Sequence, residues 1–284
     1  MGKIIDGKNI STILKGELKL EVNKMKENGI TPGLAVILVG ENSASKVYVG
    51  NKKKSCEEVG IKSFSYELPE DTSEDELLEL IGTLNKDDAV HGILVQLPLP
   101  KHMNEQKVIL NISPLKDVDG FHPQSVGALS IGIPGFVSCT PAGIIELLKR
   151  SGIEICGKNC VVVGRSNIVG KPVGLLLLRE HGTVTICHSK TNNLTSILQQ
   201  ADIVIAAIGV SKFIKGKDLK PNAVVVDVGM NRDENGKLCG DVDFDSALEV
   251  ASAITPVPGG VGPMTIAMLM NNCVIAARNF NTQK

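Results

Sequence analysis

The feature that most constrains this chain is a series of short, continuously apolar runs separated by helical patterns. Runs such as LAVILVG (34–40) and CVVVG (160–164) do not alternate between apolar and polar residues. Half-exposed strands alternate with period two, whereas strands of a parallel sheet covered by helices on both faces are apolar throughout. We therefore expect an α/β protein with parallel sheets. Its 284 residues favour two domains, with one large domain as the alternative.

The first series of elements runs to about residue 100. After the strand at 34–40 the pattern predicts a helix that begins at Asn42 or Ser43 and ends near Gly60. A second strand is expected around Phe64. Thr72 or Ser73, each with an acid three residues on, predicts the start of another helix. VHGILVQLPLP (90–100) then predicts a strand ended by prolines.

A second series follows the Gly- and Pro-rich stretch SIGIPGFVSCTPAG (130–143). Its helical pattern is VGLLLLREHG (173–182). Its apolar runs are CVVVG (160–164), VTICHS (184–189), DIVIAAIG (202–209) and AVVVDVG (223–229). Strand, helix and strand at this spacing indicate a doubly wound domain. PMTIAMLMNNCVIAARN (263–279) is helical by period, but the pattern alone does not assign it to either domain.

Composition excludes several classes of function. Thirty Lys and Arg against 31 Asp and Glu give no field that would attract nucleic acid or an acidic membrane surface. No apolar run approaches the roughly 20 residues that cross a bilayer, so a cytoplasmic protein is expected. The seven cysteines lack C-x-x-C spacing, which predicts buried thiols and neither a disulfide framework nor a metal site.

A candidate nucleotide site follows the strand CVVV. Gly164 comes directly after it, and GRSNIVGKPVG (164–174) opens the next helix, as a dinucleotide-binding turn requires. Ser166 replaces the middle glycine of the usual fingerprint, and the last small position falls at Gly170. Backbone amides at this helix start are expected to hold a pyrophosphate. The alternative is an ordinary glycine-bearing turn.

The end of the next strand favours NADP over NAD. NAD enzymes usually place a carboxylate there to bind the ribose hydroxyl, but residues 188–191 read HSKT. Nothing there would repel a 2′-phosphate, and Arg165 and Lys190 are expected to pair with it. Lys190 as a merely solvated charge is the alternative.

Candidate reacting residues lie in the first series. Tyr48 and Lys52, four residues apart on the predicted helix, share one face and suit a flat heteroaromatic substrate. Taken alone, the run KKK (52–54) would be a solvated face. Gln96 ends an apolar strand, where α/β sheets bind ligands, although a simple strand cap is equally expected. Asp119 precedes a glycine and would by default be a turn aspartate.

These pieces together resemble the methylenetetrahydrofolate dehydrogenase/cyclohydrolase family. The resemblance spans nearly the whole chain in one order. The motifs that carry it are YVGNK (48–52), GILVQLPLP (92–100), KDVDGF (116–121), CTPAG (139–143), GRSNIVGKP (164–172), HSKT (188–191), DVGMN (227–231) and PVPGGVGPMT (256–265).

The resemblance implies an architecture. It implies a folate-binding catalytic domain over residues 1–138, completed by a C-terminal helix over 263–284, and a Rossmann-like NADP-binding domain over 139–262. The active site would lie in the cleft between the domains. A homodimer is also implied.

The resemblance further implies roles for individual residues. Tyr48 would stack on the folate, Lys52 would be the central catalytic residue, Gln96 would orient and tune it, and Asp119 would hydrogen-bond the pterin. Gln96 is expected to act on the neutral amine as a hydrogen-bond donor. Contacts to folate are implied for Tyr48, Lys52, Val95, Gln96, Leu97, Asp119, Pro258, Gly259 and Gly260, and contacts to NADP for Gly164, Arg165, Ser166, Ser189 and Met230.

The implied reactions are oxidation of 5,10-methylenetetrahydrofolate by NADP and hydrolysis of the methenyl product to 10-formyltetrahydrofolate. Ser125 and Met230 stand where many relatives carry Asn and Ile, and both are expected to affect ligand affinity rather than abolish an activity. Three alternatives stay open: a dehydrogenase without hydrolase activity that uses NAD, a nucleotide sensor without turnover, and an enzyme acting on another pterin.

Overall fold

The computed structural model describes residues 2–282. The strands in this part of the chain are β1 Lys3–Ile4, β2 Gly33–Val39, β3 Lys62–Leu68, β4 Gly92–Val95, β5 Asn159–Val163, β6 Thr183–Cys187, β7 Ile203–Ala206, β8 Val224–Asp227, β9 Asn231–Arg232, β10 Leu238–Cys239 and β11 Ala253–Ile254. The helices are α1 Gly7–Glu27, α2 Ser43–Val59, α3 Glu74–Lys86, α4 Glu105–Asn111, α5 Pro123–Ile131, α6 Cys139–Arg150, α7 Gly170–Arg179, α8 Leu194–Leu198, α9 Phe244–Val250 and α10 Val261–Thr282.

The chain forms two compact units. A three-stranded unit contains Thr12–Cys139 and Ile266–Lys284, and a six-stranded unit contains Met1–Ser11 and Thr140–Thr265. The expected first domain, 1–138, thus differs from the three-stranded unit at its start, because β1 pairs with β11 of the other unit. No helix among residues 2–282 is both long and apolar enough to cross a membrane.

The three-stranded unit is a parallel sheet in the order β3-β2-β4. The central strand β2 is buried at every residue, which explains its unbroken apolar run. The two helices after β2 and β3 begin where the sequence indicated. Asn42 accepts a hydrogen bond from the Ser45 amide at the start of α2, and Ser73 forms a capping box with Glu76 at the start of α3.

The C-terminal helix packs on the three-stranded unit from Ile266 onward. Asn272 Nδ2 donates to the carbonyls of Val118 and Val137, each at 2.9 Å. Such bonds satisfy buried carbonyls that no strand or helix partner reaches. From Ile266 onward the helix thus lies in the same compact unit as the first series of elements. Its observed start is Val261, two residues earlier than expected, and residues 283 and 284 lie outside the described part of the chain.

The six-stranded unit is a parallel sheet in the order β1-β11-β8-β7-β5-β6. The four strands expected from the sequence form its center and one edge, and their apolar side chains form a continuous core. From β5 the chain goes first to β6 on one side and then to β7 on the other. This reversal is the topological switch point at which open α/β sheets bind ligands, beyond the carboxyl ends of the strands.

Candidate active site

Lys52 is buried, although it belongs to a run of three lysines. It lies on α2 with 8% of its surface exposed, whereas Lys53 and Lys54 are exposed. Tyr48 lies one turn earlier on the same helix and is half-buried. Interpretation of the run as a solvated face therefore holds for Lys53 and Lys54 and is wrong for Lys52.

Gln96 holds the buried amine. It directly follows β4, and Lys52 Nζ donates to its Oε1 over 2.8 Å. Its Nε2 in turn donates to the Leu97 carbonyl at 2.7 Å. The expectation that Gln96 would be a donor to the amine is therefore wrong. Because a carbonyl only accepts, Leu97 draws the amide nitrogen toward itself and leaves the oxygen facing Lys52.

The turn aspartate of KDVDGF is Asp117. It accepts hydrogen bonds from the amides of Phe121 at 3.2 Å and His122 at 2.8 Å, and from the Ser125 hydroxyl at 2.8 Å. Asp117 is thus the turn aspartate, a role that the sequence would by default have given to Asp119. Ser125 is buried, and its hydroxyl holds this turn together.

Asp119 and Lys52 interact electrostatically within the three-stranded unit. Burial lowers the pKa of Lys52, and the negative charge of Asp119 opposes this change. Burial also raises the pKa of Asp119, while the charge of Lys52 opposes it. Both shifts have the same physical cause, since a low-dielectric environment disfavours either charge. A lysine in this setting is neutral over a wider pH range than a solvated one, so it can accept a proton.

Cys139 is a member of this cluster that the sequence reasoning missed. Its thiol donates to the Val118 carbonyl at 3.4 Å and interacts electrostatically with the Asp119 carboxyl. Burial raises the pKa of Cys139 well above its ordinary value, so the group stays a thiol and a donor. The motif CTPAG contained this residue, but scattered cysteines gave no sign of which one would meet a carboxylate.

The other expected folate residues divide between the units. The side chain of Val95 packs in the core of the three-stranded unit, and Leu97 is partly exposed. Pro258, Gly259 and Gly260 belong to the six-stranded unit, where the Gly259 carbonyl accepts from the Lys8 amide at 2.9 Å. A Cβ on Gly260 would lie 2.7 Å from the Pro256 carbonyl oxygen, so the backbone requires glycine there.

Gly164 forms a tight turn at the end of β5. Its φ is +140°, and a Cβ there would lie 2.1 Å from the Ala207 carbonyl oxygen. Only glycine permits this approach between the segments that follow β5 and β7. The turn therefore has the close backbone packing that a dinucleotide-binding crevice needs.

Ser166 occupies amides that were expected to hold a pyrophosphate. Its Oγ accepts from the Val169 and Gly170 amides, each at 3.2 Å, and its carbonyl accepts from the Lys171 amide. A side-chain oxygen thus satisfies two amides at this helix start. A pyrophosphate here would either displace the Ser166 hydroxyl or contact other amides of the turn.

The end of β6 carries no carboxylate. Gly164 and His188 follow neighbouring strands, because Val163 pairs with Cys187 in the sheet. Residues 188–191 read HSKT, and Arg165, Ser189 and Lys190 are all exposed. These side chains fit a 2′-phosphate, which a carboxylate in the same place would repel. Met230, after β8, is also half exposed.

Comparisons with known proteins agree with this geometry. The model "Tetrahydrofolate dehydrogenase/cyclohydrolase, catalytic domain" matches residues 5–119, and "Tetrahydrofolate dehydrogenase/cyclohydrolase, NAD(P)-binding domain" matches residues 138–281. The bifunctional protein FolD of Lachnoclostridium phytofermentans is 66% identical over 280 residues, which cover 99% of each chain.

Two solved structures are also similar. The bifunctional FolD methylenetetrahydrofolate dehydrogenase/cyclohydrolase of Campylobacter jejuni has a TM-score of 0.96 at 51% identity, covering 98% of this chain and 99% of that one. The Trypanosoma brucei dehydrogenase-cyclohydrolase, solved with NADP cofactor and an inhibitor, has a TM-score of 0.93 at 39% identity and 98% coverage of both chains. The buried lysine lies in the part of the chain matched as catalytic, and the glycine turn lies in the part matched as NAD(P)-binding. The chain belongs to the tetrahydrofolate dehydrogenase/cyclohydrolase family.

Proposed function

We propose that this chain oxidises 5,10-methylenetetrahydrofolate with NADP and then hydrolyses 5,10-methenyltetrahydrofolate to 10-formyltetrahydrofolate. The observation that carries the proposal is the buried amine of Lys52, held at 2.8 Å by Gln96 and facing the charge of Asp119. A structural lysine at this depth would be expected to form a full ion pair, whereas this one contacts a neutral amide.

The oxidation depends on placement of the two ligands. NADP would supply the hydride acceptor for the methylene carbon, and no base is needed because no proton leaves that carbon. The chain contributes binding: Tyr48 stacks on the pterin, and Asp119 hydrogen-bonds it. Gly164, Arg165, Ser166, Ser189 and Met230 hold NADP, and Arg165 and Ser189 contact the 2′-phosphate.

The hydrolysis depends on a base. Water adds to the cationic methenyl carbon as Lys52 takes one proton from it. The remaining hydroxyl proton is lost as the formyl C=O bond forms, and the bond from this carbon to N5 breaks with its electron pair and a proton going to N5. Lys52 then releases its proton to solvent, so one proton is produced overall. Burial lowers the pKa of Lys52, which increases the neutral fraction that can act. Gln96 accepts one hydrogen of the amine and so directs the lone pair of Lys52.

The test is a pair of absorbance assays on the purified chain, one for reduction of NADP or NAD and one for loss of the methenyl compound. Lys52→Met should slow hydrolysis by roughly 100-fold or more, the scale of a lost general base. Hydride transfer needs no base and should retain a larger fraction of its rate. Lys53→Met, the exposed neighbour on the same helix, is the matched control and should behave as wild type.

Two results would contradict the proposal. Full hydrolysis by Lys52→Met would remove the lysine from the mechanism. A wild-type chain that reduced NADP or NAD without hydrolysing the methenyl compound would be a dehydrogenase only.

The assembly and location of the chain are carried over from the same family resemblance. We propose a homodimer that works in the cytoplasm. Light scattering after size-exclusion chromatography should give twice the mass of 30.1 kDa, and a monomer at that mass would contradict the proposal.

A further inference from the structure

A pair of buried aspartates lies at the carboxyl ends of β7 and β8. Asp241 is completely buried, and Asp227, the last residue of β8, is 4% exposed. Burial raises the pKa of Asp227 to about 6. Burying two carboxylates close together costs folding free energy. The hydrogen bonds that offset this cost show which parts of the structure the two carboxylates hold.

Asp241 organises the turn that follows β7. Its Oδ2 accepts from the Ile208 amide at 2.5 Å and the Gly209 amide at 3.0 Å, and its Oδ1 accepts from the Val210 amide at 3.0 Å. Gly209 has a φ of +77°, which lets three successive amides converge on one carboxylate. The conformation of residues 208–210 is thus set by a side chain more than 30 residues away.

The same carboxylate also holds the segment after β8. Asn231 Nδ2 donates to Asp241 Oδ1 at 2.8 Å, and Asn231 directly follows Met230. Every hydrogen bond that the described residues donate to the Asp241 carboxylate comes from an uncharged group. Asp241 therefore positions backbone and a neighbouring side chain rather than neutralising a cation.

Asp227 fixes Asp241 in turn. It accepts from the amides of Asp241 and Val242, each at 2.9 Å. A Cβ on Gly240 would lie 1.8 Å from Asp227 Oδ2, so glycine is required for this contact. Hydrogen bonds therefore connect the end of β8 to the loop after β7. They run from Asp227 to the backbone of Asp241, and from the Asp241 carboxylate to the amides of residues 208–210.

The segments that Asp241 holds border the dinucleotide crevice. β7 lies next to β5, and the Ala207 carbonyl oxygen is the atom that excludes a side chain at Gly164. Residues 208–210 continue from that point, at the switch point where the sheet binds its ligand. Met230 follows the next strand along, β8, whose last residue is Asp227.

We propose that Asp241 is a positioning residue for the NADP pocket, holding residues 208–210 and Met230 in the conformation that binds the cofactor. It does not touch NADP itself. This inference rests on the proposed function, since it assumes that the crevice takes NADP.

Asp241→Asn is the direct test in the full chain. One oxygen becomes an NH2 group facing amide donors, so part of the 208–210 turn loses its acceptor. We expect the Kd and KM for NADP to rise roughly tenfold, the scale of one or two lost hydrogen bonds. The kcat at saturating NADP and the KM for the folate should stay near wild type. Asp245→Asn, on the exposed surface of α9, is the matched control.

Asn231→Ala keeps the inference testable if Asp241→Asn does not fold. It removes one donor to Asp241, and the NADP Kd should rise about two- to fivefold with an unchanged KM for the folate. Wild-type NADP affinity in either folded variant would overturn the inference. So would a parallel loss of NADP affinity, folate affinity and hydrolysis, because that would show general structural damage. A wild-type chain that failed to bind NADP would instead overturn the proposed function, and this inference with it.

Discussion

At the scale of single residues, Lys52 shows how burial and hydrogen bonding create a base. A solvated lysine is protonated at neutral pH, and its pKa is about 10.4. Burial on α2 lowers the pKa of Lys52, and the Asp119 charge partly restores it. Gln96 adds an acceptor without adding a charge. The protonation state of Lys52 is therefore set by the balance between its depth and one neighbouring carboxylate.

This balance predicts the pH dependence of hydrolysis. The neutral amine is the active form, so kcat/KM for methenyl hydrolysis should rise with pH through the lowered pKa of Lys52. Asp119→Asn removes the charge that favours the protonated amine. The rising limb, the pH range over which kcat/KM increases, should therefore move to lower pH, even where the overall rate falls. The measurement is a kcat/KM profile after subtraction of the uncatalysed rate.

Glu57→Gln is the control for that profile. Glu57 is an exposed carboxylate on the same helix, and its removal should leave the limb in place. A limb that moved to higher pH in Asp119→Asn, or did not move, would contradict the electrostatic role of Asp119.

Residue types alone made part of this cluster candidates, and the family resemblance implied their roles. Tyr48 and Lys52 follow from helical spacing, and Gln96 follows from its place at a strand end. The roles of Asp117 and Cys139 could not be predicted, because each depends on contacts made after folding. Asp117 and Asp119 are equivalent in a sequence pattern, and only the hydrogen bonds from Phe121 and His122 separate them.

At the scale of elements, local capping determines where helices of the three-stranded unit begin. Ser73 and Glu76 form both bonds of a capping box at the start of α3, which buries Leu77, Ile81 and Leu84 in the core of the three-stranded unit. The neighbouring Thr72 donates its amide to the Pro69 carbonyl and does not cap the helix. The structure thus decides between the two caps that the sequence allowed.

The capping box predicts a stability difference between two similar substitutions. Ser73→Ala should lower the free energy of unfolding by about 1 kcal/mol, the usual value of an N-cap. Thr72→Ala, one residue earlier, should change it by much less. Urea denaturation of both variants measures this, and equal losses would show that Ser73 contributes no more than its neighbour. Both should retain wild-type kcat, since neither residue is proposed to bind a ligand or to act on Lys52.

The sequence patterns left several elements unassigned, among them the helices α1 and α6 and the two-residue strands β1 and β11. β1 and β11 have two residues each and pair only with the edge of the larger sheet. Two residues carry no period, so their pairing follows from the assembled fold rather than from local propensity. For the same reason the sequence did not associate residues 1–11 with the six-stranded unit.

At the scale of the whole molecule, the proposed function uses residues of both units. The base and its partners lie in the three-stranded unit, and the proposed NADP residues lie in the six-stranded one. A ligand that binds only the native state stabilises it by mass action, by about 2.7 kcal/mol at 100 times its Kd. Binding of the cofactor can therefore be measured without any turnover.

Arg165 should make that stabilisation selective for NADP. It is exposed, follows Gly164, and has no carboxylate near it at residues 188–191 to compete with a 2′-phosphate. In thermal unfolding NADP should raise the Tm of the wild type by several degrees and more than NAD does at the same concentration. Arg165→Ala should reduce the NADP shift and leave the NAD shift nearly unchanged, because only NADP carries the phosphate.

Arg179 is an exposed arginine at the far end of α7 and provides the control. Arg179→Ala should keep the wild-type difference between the NADP and NAD shifts. Equal losses for NADP and NAD in Arg165→Ala would mean that this arginine supports the turn as a whole and does not recognise the phosphate.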